Sequence, residues 1–162
     1  MNKQEIYDYL KEKNIWHEIT EHIAVYHMDD LSKIEIPYPE ADAKNLFVRD
    51  DKKKSYYLIT VKGDKRVNLK EIRKANQTRP LSFASENDLM NLLGLVAGSV
   101  TPLGVLNDQN LKVKVFLDQD FFEGSGLIGV HPNDNTATIW MKVIDLANII
   151  KEHGNEITII SC

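Results

Sequence analysis

The spacing of apolar positions along the chain changes several times, and each change marks an element. Ile6, Tyr9, Leu10 and Lys13 recur at three- and four-residue steps, which predicts a helix from about Lys3 to Lys13. Asn2 and Glu5 have capping-box spacing at its start, with Asn in place of the usual Ser or Thr. Residues 15–27 alternate only in part and carry β-branched side chains, as one or two short strands would. The two prolines of IEIPYPEAD make that stretch a loop, since neither could sit in a central strand. Two apolar runs flanking DKKKS predict a β-hairpin that pairs Asn45–Arg49 with Tyr56–Lys62.

Helices are predicted at Leu69–Ala75 and after Ser85, where Leu89, Leu92 and Leu93 form the apolar stripe and Gly94 the stop. GSVTPLG, residues 98–104, is a loop bounded by Gly and Pro. LKVKVFLD alternates as a half-buried strand with Val113, Val115 and Leu117 on one side. LIGVH and TATIWMKV are two further strands, Ile144–His153 a helix ended by Gly154, and ITIIS a terminal strand. At least six strands, mostly in hairpins, with helices between them, indicate an α+β fold with a mixed sheet. No repeat, low-complexity segment or linker divides residues 1–162, so a single domain is expected.

Composition narrows the class. A chain that is 43% hydrophobic and 27% charged describes a soluble globular protein. Cys162 is the sole cysteine, which leaves no internal disulfide and no Cys cluster for zinc, and favours a reducing, cytoplasmic setting. The charged start gives no secretory signal, and no apolar run approaches the ~20 residues of a membrane span. Charge is unevenly placed. From Lys52 to Arg79 ten basic residues face only Asp64 and Glu71, a local +8 in a chain of net −4. Such a segment suits a phosphate backbone, and equally describes a solvated surface.

Three clusters could carry chemistry. Lys44 and Asn45 head a strand, where both could project over an edge or cleft. Gly98-Ser99-Val100-Thr101-Pro102-Leu103-Gly104 could display backbone N–H groups to a developing oxyanion, or serve geometry alone. His131 closes an apolar strand before the turn Asn133–Asn135, where it could act as acid, base or substrate contact, or be structural. The chain has no P-loop, dinucleotide fingerprint, zincin helix or nucleophile elbow. His22 and His27, five residues apart in a predicted strand region, would face opposite ways. A hydrolase without nucleophile or metal would act on an already activated bond, by positioning and electrostatics.

In this order, Lys44-Asn45-Leu46-Phe47-Val48-Arg49-Asp50, the Gly98-x-x-x-Pro102 loop with Leu103-Gly104, and His131-Pro132-x-x-Asn135-Thr136-Ala137-Thr138 resemble the YbaK/ProX family of trans-editing proteins. That family is related to the editing insertion of bacterial prolyl-tRNA synthetases. KNLFVRDDKK followed by YYLITVKGDKRVNLKEIRK is similar to its ProX (PrdX) branch. The resemblance implies a mixed, partly barrel-like sheet with flanking helices, and an enzyme that hydrolyses aminoacyl-tRNA esters.

It further implies that Lys44, Gly98 and His131 form the catalytic set, with Asn45, Ser99, Val100 and Pro102 at the substrate. Lys44 would hold the aminoacyl-adenosine end, and the Gly98 N–H would steady the oxyanion. Ile23, Val25 and Phe47 are expected to help shape the amino-acid pocket. Lys52, Lys53, Lys54, Lys65 and Arg66 are expected to guide the tRNA acceptor end. The implied substrate is alanine on tRNA for proline; cysteine or serine esters, or a catalytically silent tRNA- or synthetase-binding module, are the alternatives. A prolyl-tRNA synthetase is the other candidate partner, and no metal or organic cofactor is expected. One departure stands out: Tyr38-Pro39-Glu40 occupies a region where many relatives carry Pro-Gly, and it borders the expected pocket.

Overall fold

The computed structural model describes residues 1–22 and 36–162. Helix α1, Lys3–Glu12, opens with the full capping box: Asn2 accepts from the Glu5 N–H, and the Glu5 carboxylate accepts from the Asn2 N–H. It buries Ile6, Tyr7 and Leu10. Strand β1 is His17–Glu21, and a 3-10 turn at Pro39–Ala41 leads into β2, Ala43–Asp50. Then come β3, Tyr56–Lys62, α2, Leu69–Asn76, β4, Leu81–Phe83, and α3, Glu86–Leu93. Ser85 caps α3 by accepting from the Asp88 N–H, and Gly94 ends it in the left-handed region at φ 65°.

A 3-10 segment at Pro102–Asn107 precedes β5, Val113–Asp118, and another at Gln119–Phe122 follows it. β6, Leu127–Val130, β7, Ala137–Lys142, α4, Val143–His153, and β8, Ile157–Ile160, complete the chain.

The described strands form two sheets, which do not close into a barrel among the described residues. One is a five-stranded mixed sheet in the order β4-β2-β3-β5-β8, the other a three-stranded antiparallel sheet in the order β1-β7-β6. The β2–β3 hairpin is as the sequence predicts. The parallel pairing of β3 with β5 and of β5 with β8 departs from the expected run of hairpins. It also changes the reading of β5. Val113, Val115 and Leu117 enter the larger core and Phe116 a second core on the opposite face, so this central strand is buried on both sides.

The larger core fills the space between the five-stranded sheet and a layer made of the small sheet, α1, α3 and α4. The second core lies under α2, where Ile72 meets Val48, Tyr57, Ile59 and Val61. The two sheets meet where β6 packs against β2 and the Pro39–Ala41 turn. Gly129 of β6 lies opposite Trp140 of β7, and a Cβ there would stand 2.5 Å from the indole. The room lets Trp140 sit flat on β6 and receive Tyr38 edge-on, with ring centroids 5.8 Å apart. Tyr38 also donates its hydroxyl to Glu18 at 2.8 Å, so the Tyr38–Glu40 segment is anchored to the small sheet. Among the described residues no helix is long and apolar enough to cross a membrane.

At the end of β5 the Asp118 carboxylate is fully buried and accepts three hydrogen bonds, from the Lys62 and Asp120 N–H groups at 3.0 Å each and from Lys65 Nζ. Asp118→Ala should cost about 3 kcal/mol, because removing one member of a buried ion pair leaves the other uncompensated. Urea unfolding of the variant against the parent chain measures that loss.

Candidate active site

The site is assembled at the seam between the two sheets. His131 follows the last residue of β6, and the turn after it is pinned by Asp134, which accepts from the Thr136 N–H at 2.8 Å and from its hydroxyl. The His131 ring donates from Nδ1 to the Ala137 carbonyl at 3.0 Å. A carbonyl can only accept, so Nδ1 carries the proton and Nε2 keeps its lone pair. Burial disfavours the imidazolium and lowers the His131 pKa. The Ala137 carbonyl, Asp42 and Asp134 oppose that shift only in part, while His22 adds to it. His131 is therefore a neutral imidazole near pH 7, with Nε2 able to accept a proton.

His22, just past β1, stands beside it. The rings are edge-to-face with centroids 6.2 Å apart, and His22 Nε2 is 3.0 Å from the Thr138 hydroxyl.

The glycine loop reaches His131 through Thr101. Its buried hydroxyl donates to the His131 carbonyl at 2.8 Å and accepts from the Leu103 N–H at 3.3 Å. Upstream, Ser99 N–H bonds the Val96 carbonyl, and Gly98 takes φ 91°, a conformation that a side chain would strain. Gly98 is exposed, and among the described residues its N–H has no acceptor. Ser99 and Pro102 are buried, while Val100 packs on the edge of the larger core. The loop thus fixes the backbone on both sides of Gly98 and is held to the histidine strand by the Thr101 hydroxyl.

Lys44 and Asn45 do not act as a pair. Consecutive strand residues face opposite ways, and here Asn45 lies on the side of the small sheet, accepting from the Thr60 hydroxyl at 2.7 Å. Lys44 lies on the α2 side and donates to the Lys65 carbonyl at 2.6 Å. What links Lys44 to His131 is Asp42, absent from the predicted set, whose carboxylate feels both groups. Desolvation raises the Asp42 pKa. The Ala43 N–H, His131 and Lys44 counter that shift, and Asp64 adds to it. Asp42 also lines a cavity of about 480 Å³ with Pro39, Glu40, Lys62, Gly63, Asp64, Lys65 and Asp120. His131 and Thr101 are not part of its wall.

The remaining predicted positions divide. Phe47 is buried in the larger core and stacked on Tyr56 with ring centroids 5.7 Å apart. Ile23 and Val25 lie outside the described residues. Lys52, Lys53 and Lys54 are exposed in the β2–β3 turn, whereas Lys65 and the exposed Arg66 follow the other end of β3. Seven strand residues separate the two groups by roughly 20 Å, so they are two basic patches. Lys65 is committed internally, to Asp118, to Asp120 at 2.6 Å and to the Cys162 carbonyl at 2.8 Å. Burial alone would lower its pKa, but the Asp120 and Asp118 carboxylates more than offset this and hold it above the ordinary range.

A neutral imidazole whose strand is tied to the glycine loop by the Thr101 hydroxyl suits hydrolysis of an activated ester, and the comparisons agree on the class. The aminoacyl-tRNA editing domain profile matches residues 22–149. The prolyl-tRNA editing protein ProX of Acetoanaerobium sticklandii is 39% identical over 94% of this chain and 93% of its own. The prolyl-tRNA synthetase associated domain-containing protein 1 of Xenopus laevis is 32% identical over 98% of this chain and 95% of its own. The crystal structure of a candidate trans-editing enzyme for prolyl tRNA synthetase superposes with a TM-score of 0.68 at 18% identity, over 99% of this chain and 96% of that one. The chain belongs to the aminoacyl-tRNA editing domain family, the YbaK/ProX group of aminoacyl-tRNA deacylases.

Thr101→Val keeps the shape of the side chain and removes the hydroxyl that joins the glycine loop to His131. It should cost about 1–3 kcal/mol by leaving a carbonyl without its donor. Deacylation should fall further than the loss of folded protein explains, as measured by activity at a temperature where the variant is fully folded.

Proposed function

We propose that this protein removes a wrong amino acid, most directly alanine, from tRNA for proline, acting in trans as a single editing domain. The observation that carries the reading is a neutral His131, its Nε2 lone pair free of the Ala137 bond, on a strand tied through Thr101 to the loop whose Gly98 N–H has no acceptor among the described residues. The ester linking an amino acid to the terminal ribose is already reactive. A water held by His131 Nε2 attacks its carbonyl carbon, and the negative charge develops on the carbonyl oxygen facing Gly98 N–H. When the tetrahedral intermediate collapses, the bond from carbon to the ribose oxygen breaks. That oxygen takes the proton from water, and a free amino acid and an uncharged tRNA leave.

Lys44 serves the nucleotide end in this reading. Its amine rests on a neutral carbonyl, a contact that a ribose or phosphate oxygen can replace with a stronger one. Arg66 and the exposed Lys70, Arg73 and Lys74 of α2 lie on the flank nearer Lys44, which suits an acceptor stem arriving along α2. The preference for alanine rests on size and branch likeness: a pocket too small for proline admits alanine, which a proline-sized synthetase pocket cannot exclude well. The names of the relatives, which pair editing with prolyl-tRNA and its synthetase, support both the tRNA and the synthetase as partners.

Purified protein should release alanine from Ala-tRNA for proline over many turnovers and spare Pro-tRNA, with Cys- and Ser-tRNA as the discriminating controls. Lys44→Ala should slow the reaction about 100-fold. An unaffected Lys44→Ala, or stoichiometric binding without turnover, would overturn the assignment in favour of a binding module.

The pH profile tests His131 separately. Its pKa is lowered, so the base form persists below the ordinary histidine value of about 6.5. The rate should hold through pH 6.5 and fall only at more acidic pH, and His131→Ala should remove that acidic limb.

A further inference from the structure

An aminoacyl ester carries a positive α-ammonium one carbon away from the carbonyl under attack. Something in an editing site must accept or ignore that charge. Asp42 is placed to accept it. Its carboxylate lies directly against Gly63, where an added Cβ would stand 2.4 Å from Oδ2, so only glycine at that turn lets the carboxylate settle into the cavity wall.

The lysines that share the cavity are engaged elsewhere. Lys62 donates to the Glu40 carbonyl and lies over the Phe121 ring, and Lys65 is held by Asp118, Asp120 and the Cys162 carbonyl. Among the described residues no cation lies within ion-pair distance of Asp42. Glu40 and Asp64 on the same wall deepen the negative field that an arriving ammonium meets. The Asp42 carboxylate also lies within electrostatic reach of both His131 and Lys44, so a cation bound there stays close to the reacting ester. Burial at the same time penalises the bare carboxylate, and an ammonium partner would relieve that penalty.

We infer that Asp42 is a substrate-binding residue that recognises the free α-ammonium of the aminoacyl ester, positioned by its close contact with Gly63. The inference rests on the deacylase reading and adds a selectivity to it: a charged amino group is required. Peptidyl- or N-acylated tRNA, in which that nitrogen is neutral, is then a poor substrate, and nascent chains on tRNA are spared.

The test compares Ala-tRNA for proline with its N-acetyl-alanyl counterpart, using the full chain, with kcat/KM as the readout. The parent protein should prefer the free amine by about 10- to 100-fold, the size of one charge-assisted hydrogen bond. Asp42→Asn should bring the ratio close to one by slowing the free-amine substrate far more than the acetylated one. Gly63→Ala, which displaces the carboxylate without removing it, should lower the ratio in the same direction.

Equal hydrolysis of both substrates by the parent protein overturns the inference. So does an Asp42→Asn variant that slows both alike or keeps the ratio, and in these cases the deacylase reading survives. If the parent protein hydrolyses neither ester, the deacylase reading falls and this inference falls with it.

Discussion

The Asp118 carboxylate holds the parts of this molecule in register. It ends β5, which is buried on both faces, and it binds the last N–H of β3 together with the amine of Lys65. Those bonds fix the turn from Lys62 to Lys65 against the sheet. That turn in turn supplies the carbonyl on which Lys44 rests, the glycine on which Asp42 packs, and much of the cavity wall. A fully buried carboxylate is costly unless its lone pairs are met, and here the backbone and one lysine meet them. Lys65 lies in the most basic stretch of the sequence, yet its role is architectural, because two carboxylates and a carbonyl occupy its donors.

The seam between the sheets explains why chemistry sits where it does. β6 reaches β2 through the Pro39–Ala41 turn, and both chain segments end in polar residues at that point, His131 on one side and Asp42 on the other. The glycine loop is tied to His131 through the Thr101 hydroxyl. Each participant comes from a different element, and each is fixed by a backbone contact: His131 by the Ala137 carbonyl, Thr101 by Leu103, Asp42 by Gly63. Preorganisation of this kind costs no rearrangement when the ester arrives.

What could be read from the sequence was largely local. The Asn2 capping box, the Ser85 cap with its Gly94 stop and the hairpin around Lys52–Lys54 depend on residues a few positions apart, and all three are present. β4 escaped because three residues, Leu81–Phe83, show no period and are a strand only by pairing with β2. The parallel neighbours of β5 are supplied by β3 and by β8 at the far end of the chain, so its second buried face had no local signature. The divergence of Lys44 and Asn45 was available from strand alternation alone. Asp42 was not, since its significance comes from Gly63, 21 residues further on, and from a histidine on another sheet. His22 was discounted against His27, while its partner is His131, reached through the pairing of β1 with β7.

Burial moves Asp42 and His131 in opposite directions on the pH scale for one reason: it favours the uncharged form of each. Their effects on stability follow from that. A carboxyl whose folded pKa is raised contributes stability at low pH, below about 3.8, and loses it as the pH rises through the folded value. A histidine whose folded pKa is lowered contributes stability above about 6.5 and loses it as the pH falls toward the folded value. Near neutrality His131 is in its favoured state, and Asp42 is held as an anion against the preference of its surroundings. The cost of that anion is specific to the free protein. An ammonium partner removes it, which makes the least comfortable charge in the site the one most responsive to a cationic substrate.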